Sequence, residues 1–286
     1  MNNLKTLFLT ALVLPIIGYA QKPFAPNSRD ALDVAVIDSA NIRIYYAFNA
    51  DDINKQDSYE DLQRLEIGTT LSKYYSYFNF SNDSLFADWR KKNPKAQSAP
   101  RRMRSEGKFP GNWSEYKYSE YVKDFAKNKL TEYARMPAMM KKYDSKYEET
   151  TPVQAWIIES DTLTIAGYLC QKANCTFRGR SYTAWFTMDI PIPNGPWKFG
   201  GLPGLILKVY DKDKLYTFEC VKIEHHKNRL PIMLHKECFE YQTIDRKRLL
   251  KLQKETHEDY YKVVGMIHTG GRIPEKPGSY NALELE

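Results

Sequence analysis

The clearest pattern in the chain lies between positions 181 and 190, where Tyr182, Ala184, Phe186, Met188 and Ile190 alternate with Ser181, Thr183, Trp185, Thr187 and Asp189. Successive side chains of a strand point to opposite faces, so this segment predicts a strand with one face buried. Leu205, Leu207 and Val209 share a face on the next strand, Asp211-Lys212-Asp213-Lys214 turns the chain, and residues 215–223 return. Upstream, residues 153–158 and 165–177 read as strands joined by a turn at Ser160-Asp161-Thr162. Nearer the amino terminus, 42–48 reads as a first strand, 51–65 as a polar helix and 69–80 as a second strand. Residues 83–92 read as a short helix ended by Asn93-Pro94.

Two further segments carry a helical rather than an alternating period. Within 94–141, a charged stretch rich in Lys, Pro and Gly, the residues Tyr118, Tyr121, Val122 and Phe125 recur at helical spacing, as do Leu130 and Tyr133. This predicts an insertion with one or two helices. From about 245 to 264, Leu249, Leu252, Tyr260, Val263 and Val264 form an apolar stripe, which predicts a helix packed on a sheet. The expected class is mainly β, of the α+β type, with an antiparallel sheet.

Composition adds a core and a compartment to this picture. Hydrophobic residues make up 42 % and aromatic residues 14 % of the 286, enough to cover a sizeable core, and 21 tyrosines suit amphipathic β surface. Lys5 is followed by an apolar stretch over 7–18 and by small Gly18 and Ala20, the order of a secretory leader cleaved before Gln21. That stretch is too short to span a bilayer, and no other segment is long and apolar enough. The expected product is one domain over 21–286, exported and periplasmic, outer-membrane-associated or secreted, with no transmembrane segment. Removing 1–20 takes away only Lys5, leaving a net charge of about +6 from the full chain's +7. In an exported protein this excess points to membrane lipid, cell-surface glycan or nothing specific rather than to nucleic acid. Arg101-Arg102-Met103-Arg104 reads as a solvated loop, with an anion patch as the sharper alternative.

Export also frames the cysteines. Cys170, Cys175, Cys220 and Cys238 in an oxidising compartment predict two disulfides. Along one strand, Cys170 and Cys175 stand ~16 Å apart, too far to bond each other, so each is expected to pair with Cys220 or Cys238. Zinc is the rival reading, because His225, His226 and His235 lie nearby. Adjacent strand residues face opposite ways, so His225 and His226 do not ligate together, and no metal or cofactor is expected.

Catalytic motifs are missing. Gly200-Gly201-Leu202-Pro203-Gly204 lacks the Lys-Ser/Thr ending of a phosphate loop and does not fit a dinucleotide fingerprint. There is no Gly-x-Ser-x-Gly elbow. Asp189 and the Glu159/Asp161 pair read as surface charge, His257-Glu258 as a solvated helix face, and Arg178-Gly179-Arg180 as a hairpin tip or an anion contact. The stretch from Ile190 through Pro191, Pro193, Pro196 and Trp197 to Gly204 is stiff, because its prolines fix φ. It reads either as a plug in a β structure or as a lip presenting Trp197 and Phe199 to a ligand.

Three segments together, Phe177 to Trp185, Gly195 to Ile206 with Gly201-Leu202-Pro203-Gly204-Leu205-Ile206 at its end, and the closing Asn281-Ala282-Leu283-Glu284-Leu285, resemble the GLPGLI family of exported Gram-negative proteins. Ala282 stands where the family pattern leads one to expect Pro. The resemblance implies no activity and no catalytic residues. A related module forms a bowl-shaped amino-terminal domain on a secreted peptide-N-glycosidase, outside its catalytic part. It implies a curved antiparallel sheet, a half-barrel or bowl. The expected function is non-enzymatic binding of a lipid, peptide or glycan, with Trp197, Phe199, Trp185, Arg178 and Arg180 as ligand contacts. The alternatives are a hydrolase of envelope or host glycoconjugates, with Asp189 meeting His225 or His226, and a scaffold subunit partnering an outer-membrane protein.

Overall fold

A computed structural model describes residues 23–97, 112–265 and 280–286; the leader at 1–20 and the Arg101-Arg102-Met103-Arg104 cluster lie outside them. The described strands are β1 (Val34–Ala50), β2 (Tyr59–Ile67), β3 (Leu71–Ser76), β4 (Ser119–Asp124), β5 (Lys129–Ala134), β6 (Ser145–Thr150), β7 (Ile157–Ile165), β8 (Tyr168–Phe177), β9 (Arg180–Thr187), β10 (Leu205–Asp211), β11 (Thr217–His235) and β12 (Gln242–Thr243). They form one sheet in the order β12-β6-β5-β4-β3-β2-β1-β11-β10-β9-β8-β7. Every ladder is antiparallel except β12 on β6. The helices are α1 (Tyr77–Lys92), α2 (Glu115–Tyr118), α3 (Glu237–Glu240) and α4 (Arg246–Val263).

The sheet is curved and unclosed. Lys123 of β4 and Phe177 of β8 are separated by seven strand positions, yet both touch the loop 190–204. One core cluster accordingly runs from Tyr121 and Leu130 through Ile44, Tyr46 and Phe48 to Ala173, Phe186 and Leu207. The hollow of the bowl is filled by the chain itself. Trp197, Phe199 and Leu202 of the loop and Leu283 of the closing segment all belong to that cluster.

The alternation at 182–187 forms β9, which ends at Thr187 so that Met188, expected on the buried face, is exposed in the turn that follows; α4 starts where its apolar stripe predicts, with the Asp245 carboxylate accepting from the Arg248 N–H at 2.9 Å. Four segments differ from the expected elements. Residues 59–65 are not helix but the buried strand β2, whose Asp61, Gln63, Arg64 and Glu66 are all under 5 % exposed. The polar character that suggests a solvated helix is satisfied internally: Ser76 Oγ donates to Asp61 at 2.8 Å, Arg43 pairs with Glu66 at 2.7 Å, and Arg64 lies over Phe80. The second strand ends at Ser76, whose hydroxyl accepts from the Asn79 N–H and caps α1, so Tyr77 to Phe80 are helical. The expected helices of 94–141 are, over 119–134, the hairpin β4–β5 at the middle of one half of the sheet. There Tyr121 faces the bowl and Glu120 the other side, the period of 2 prevailing because Tyr, Val and Thr suit a pleated surface with partners on both edges. Finally, Ser160-Asp161 is an irregularity within β7, and the chain turns instead at Ala166-Gly167, both at positive φ.

The cysteines are a correction to the expected disulfides. All four are separate, buried thiols: two strands lie between β8, which carries Cys170 and Cys175, and β11, which carries Cys220, while Cys238 sits on α3 in a different cluster. Burial pushes the thiols up, to about 11 for Cys170 and about 12 for Cys175, Cys220 and Cys238, which disfavours the thiolate.

Two glycines explain the Gly200–Ile206 string. Gly201 has φ +79°, a conformation costly for other residues, with open space around it. Gly204 lies so close to β9 that an added Cβ would stand 1.9 Å from the Thr187 carbonyl oxygen. Gly201→Ala should therefore cost about 1–2 kcal/mol from backbone strain alone, and Gly204→Ala about 3 kcal/mol or more because backbone must move. Urea denaturation checks the order; equal costs would mean that the loop does not seat against β9.

Candidate functional site

The loop 190–204 has two sides. Its inner side is held by a buried ammonium. Lys198 is 1 % exposed and sits between Glu132 of β5, at 3.0 Å, and Glu284 of the closing segment, with the Tyr147 hydroxyl of β6 at 2.5 Å. Burial works against this charge, but Glu132 and Glu284 outweigh it and hold the ammonium above the usual lysine range. Glu284 is opposed by the same desolvation, and Lys198, Arg246 and Arg178 together bring its carboxyl below the usual range. Arg246 of α4 reaches Glu284 at 2.5 Å and Arg178 of the β8–β9 turn at 3.5 Å. One carboxylate thus joins loop, helix and hairpin tip.

The aromatic residues beside Lys198 are interior. Trp197 and Phe199 are 2 % and 0 % exposed and pack edge-to-face with centroids 5.2 Å apart, against Phe177 and Tyr182. They fill the bowl and do not line an open mouth. Trp197 is held at φ +51° with its indole N–H unpartnered among the described residues, an arrangement that persists because the packing around it over-determines it. Trp185 is half-buried on β9. Arg178 and Arg180 are committed to protein partners: Arg178 to Glu149 at 2.6 Å, and Arg180 to Asp211 and to the Ala282 carbonyl, both at 3.1 Å. Of the motif itself, Leu202, Leu205 and Ile206 are core, Pro203 is exposed, and Gly200 and Gly201 face outward.

The loop's outer side forms a groove of about 340 Å³. Gly200, Gly201, Ile192 and Pro193 come from the loop, Phe125 from the β4–β5 turn, and Val153 from the β6–β7 connection. Phe125 and Val153 are exposed, Val153 by 84 %. The same connection clamps the loop: the Trp156 indole donates to the Gly200 carbonyl at 2.8 Å, and Gln154 Oε1 accepts from the Gly200 N–H at 3.1 Å. Polar residues complete the wall, among them Asn128, Thr151, Asn194 and Lys123 of β4. The Lys123 ammonium donates to the Phe199 carbonyl at 2.5 Å and to Asn194 Oδ1 at 3.0 Å, and Asn194 in turn donates to Ser72 at 2.9 Å. No carboxylate pairs with Lys123 among the described residues, and burial alone pushes it down to about 7.

Ionisable groups converge elsewhere, on the opposite face of the sheet. Arg29 pairs with Glu120 at 2.5 Å and Glu237 at 2.6 Å, and Lys73 also reaches Glu120 at 2.5 Å. A cavity of about 290 Å³ beside them is lined by Arg29, Arg135, Asp144, His235 and Glu237. Burial holds His235 down, to about 4, and raises Asp144 to about 6. Arg29, Glu120, Lys73 and Glu237 are matched in pairs that tie the segment before β1 to β4 and α3. The Asp189 meeting expected of a hydrolase does not form: Asp189 lies in the exposed turn after β9, while His225 and His226 lie on β11, with β10 between. His257 is not a solvated helix residue; it reaches Glu115 at 2.7 Å and stacks on Tyr280 at 4.2 Å. Among the described residues no group of three or more His, Cys, Asp or Glu is placed to hold a metal ion, and no helix is long and apolar enough to cross a membrane.

Lys123 and Lys198 were not among the candidate residues; the signal available for Lys198 was a single lysine flanked by Trp197 and Phe199.

The chain is similar, over residues 176–208, to the family described as protein of unknown function (Porph_ging). That span takes in β9, the loop and the start of β10. Two solved structures of PNGF-II resemble the fold, each at 14 % identity, with TM-scores of 0.47 and 0.46 over 77 % and 76 % of this chain. The chain spans about a third of the length of PNGF-II, 34 % and 33 % in the two. Among curated proteins none matches.

Lys123→Met should change the pH profile of stability. The folded amine is pushed down to about 7 by burial and the unfolded one titrates near the ordinary lysine value of 10.5, so between these the unfolded chain holds the extra proton and stability rises with pH. Between pH 7 and 9 the native protein should gain about 2–3 kcal/mol relative to Lys123→Met, at about 1.4 kcal/mol per unit. Parallel curves in urea titrations at the two pH values would mean that Lys123 stays solvated.

Proposed function

We propose that this chain is an exported, non-enzymatic binding protein of the GLPGLI kind, a single domain over 21–286 released from a leader at 1–20, whose ligand lies in the groove on the outer side of the loop 190–204. The observation that carries the reading is the groove's composition: Phe125, Val153, Ile192 and Pro193 leave apolar surface exposed around a loop immobilised from its other side. Ligand sites are concave, largely apolar and pre-formed, and this volume falls at the small end of their range. A rigid wall lowers the ordering cost of binding. The aromatic residues expected to touch the ligand support it indirectly, by filling the bowl beneath the groove. The apolar lining favours a lipid over a glycan or peptide. The periplasm or the outer membrane is the setting that the leader and the lipid together suggest.

Binding of the neutral apolar dye N-phenyl-1-naphthylamine tests this. The protein should enhance its fluorescence saturably, and Val153→Glu, a change at an exposed position that leaves the core intact, should weaken binding at least tenfold. Undiminished binding by Val153→Glu would place the apolar site elsewhere.

A further inference from the structure

We infer that the groove is selective for a carboxylate-headed amphiphile, a fatty acid, whose head group pairs with Lys123 and whose chain lies along Val153, Phe125 and Ile192. This rests on the groove being the binding site, and adds the chemistry that selects its occupant.

The argument starts from charge. Lys123 and Lys198 are both buried lysines lining the groove region, and they are treated oppositely by the fold. Lys198 is flanked by two carboxylates, whereas the described neighbours of Lys123 are neutral: an amide oxygen and a backbone carbonyl. A buried charge without a counter-ion is expensive and is ordinarily paired. Here the missing partner is an anion, and the groove is the open side from which one can arrive. In its charged form the amine has three donors; Asn194 and Phe199 take two, and the third, present only when the amine holds its extra proton, has no acceptor among the described residues. Burial lowers the affinity of this amine for its proton, and a bound carboxylate would restore it.

The rest of the groove says what the anion is attached to. Beyond Lys123 the exposed lining is mainly aliphatic and aromatic. The backbone donors that a peptide would use are already spent: the Gly200 N–H goes to Gln154 Oε1 and the Gly201 N–H to the Pro193 carbonyl at 3.3 Å. A free phosphate or sulfate would leave that apolar surface in water. A single anionic head on an apolar chain satisfies both ends.

Isothermal titration calorimetry of the purified protein, stripped of bound lipid, with dodecanoate and dodecanol separates the two claims. Dodecanoate should bind at least tenfold more tightly than dodecanol. Lys123→Met should lower the dodecanoate affinity at least tenfold more than the dodecanol affinity, with an unchanged circular dichroism spectrum showing that the variant is folded; an equal loss for both would mean that Lys123 only supports the wall and would overturn the head-group assignment. Equal affinity of the native protein for acid and alcohol would overturn the head-group assignment and leave the groove standing. Binding of neither would overturn the groove as well. Tighter binding of an apolar pentapeptide with a free carboxyl terminus than of dodecanoate would overturn the fatty-acid assignment in favour of a peptide.

Discussion

The arrangement depends on a lysine that has nowhere to go. Lys198 lies between two large aromatic residues in a loop that must enter the bowl, and the bowl's interior cannot hold an unpaired ammonium. Glu132 on one half of the sheet and Glu284 on the closing segment provide the opposite charges. The pairing therefore fixes more than a side chain: it sets the depth of the loop, brings residues 281–286 across the sheet, and through Arg246 and Arg178 recruits α4 and the β8–β9 turn. Buried ion pairs are weak sources of net stability, and breaking one by removing a partner is costly. Their consequence here is positional.

With the bowl occupied by its own chain, the surface left for a ligand is the back of the plug. The loop is clamped from inside by Lys198 and from outside by Gln154 and Trp156, so the wall formed by Ile192, Pro193, Gly200 and Gly201 is stiff. Lys123 joins the two sides. It anchors the loop through the Phe199 carbonyl and Asn194, and it borders the groove without a counter-ion. The same residue thus serves the fold and gives the groove its polarity.

Much of the β architecture was legible in the sequence because half-buried strands alternate, as at 182–187, and because α4 presents a stripe and a cap. The fold class and the bowl were anticipated. What escaped were strands buried on both faces. Tyr59–Ile67 and Ser119–Asp124 carry charges that read as solvent-facing, and only tertiary partners such as Arg43 for Glu66 and Arg29 for Glu120 make them interior. The site was less legible still. Trp197 and Phe199 drew attention as the aromatic residues of a conspicuous loop, but aromaticity does not say which side of a plug they occupy. Lys123 lies 71 residues before Asn194, and no local pattern links them. The cysteines show the opposite error, where a compartment argument suggested cross-links and the structure holds four free, buried thiols instead.

The account turns on Lys198 locking the loop to the closing segment, and a double-mutant cycle measures that directly. Stabilities of the native protein, Lys198→Met, Glu284→Gln and the double variant should give a coupling of about 2–3 kcal/mol, since the second substitution removes a partner already lost. A coupling near zero would contradict the account: the loop would hold its place by apolar packing alone, and the groove's rigid wall would need another cause.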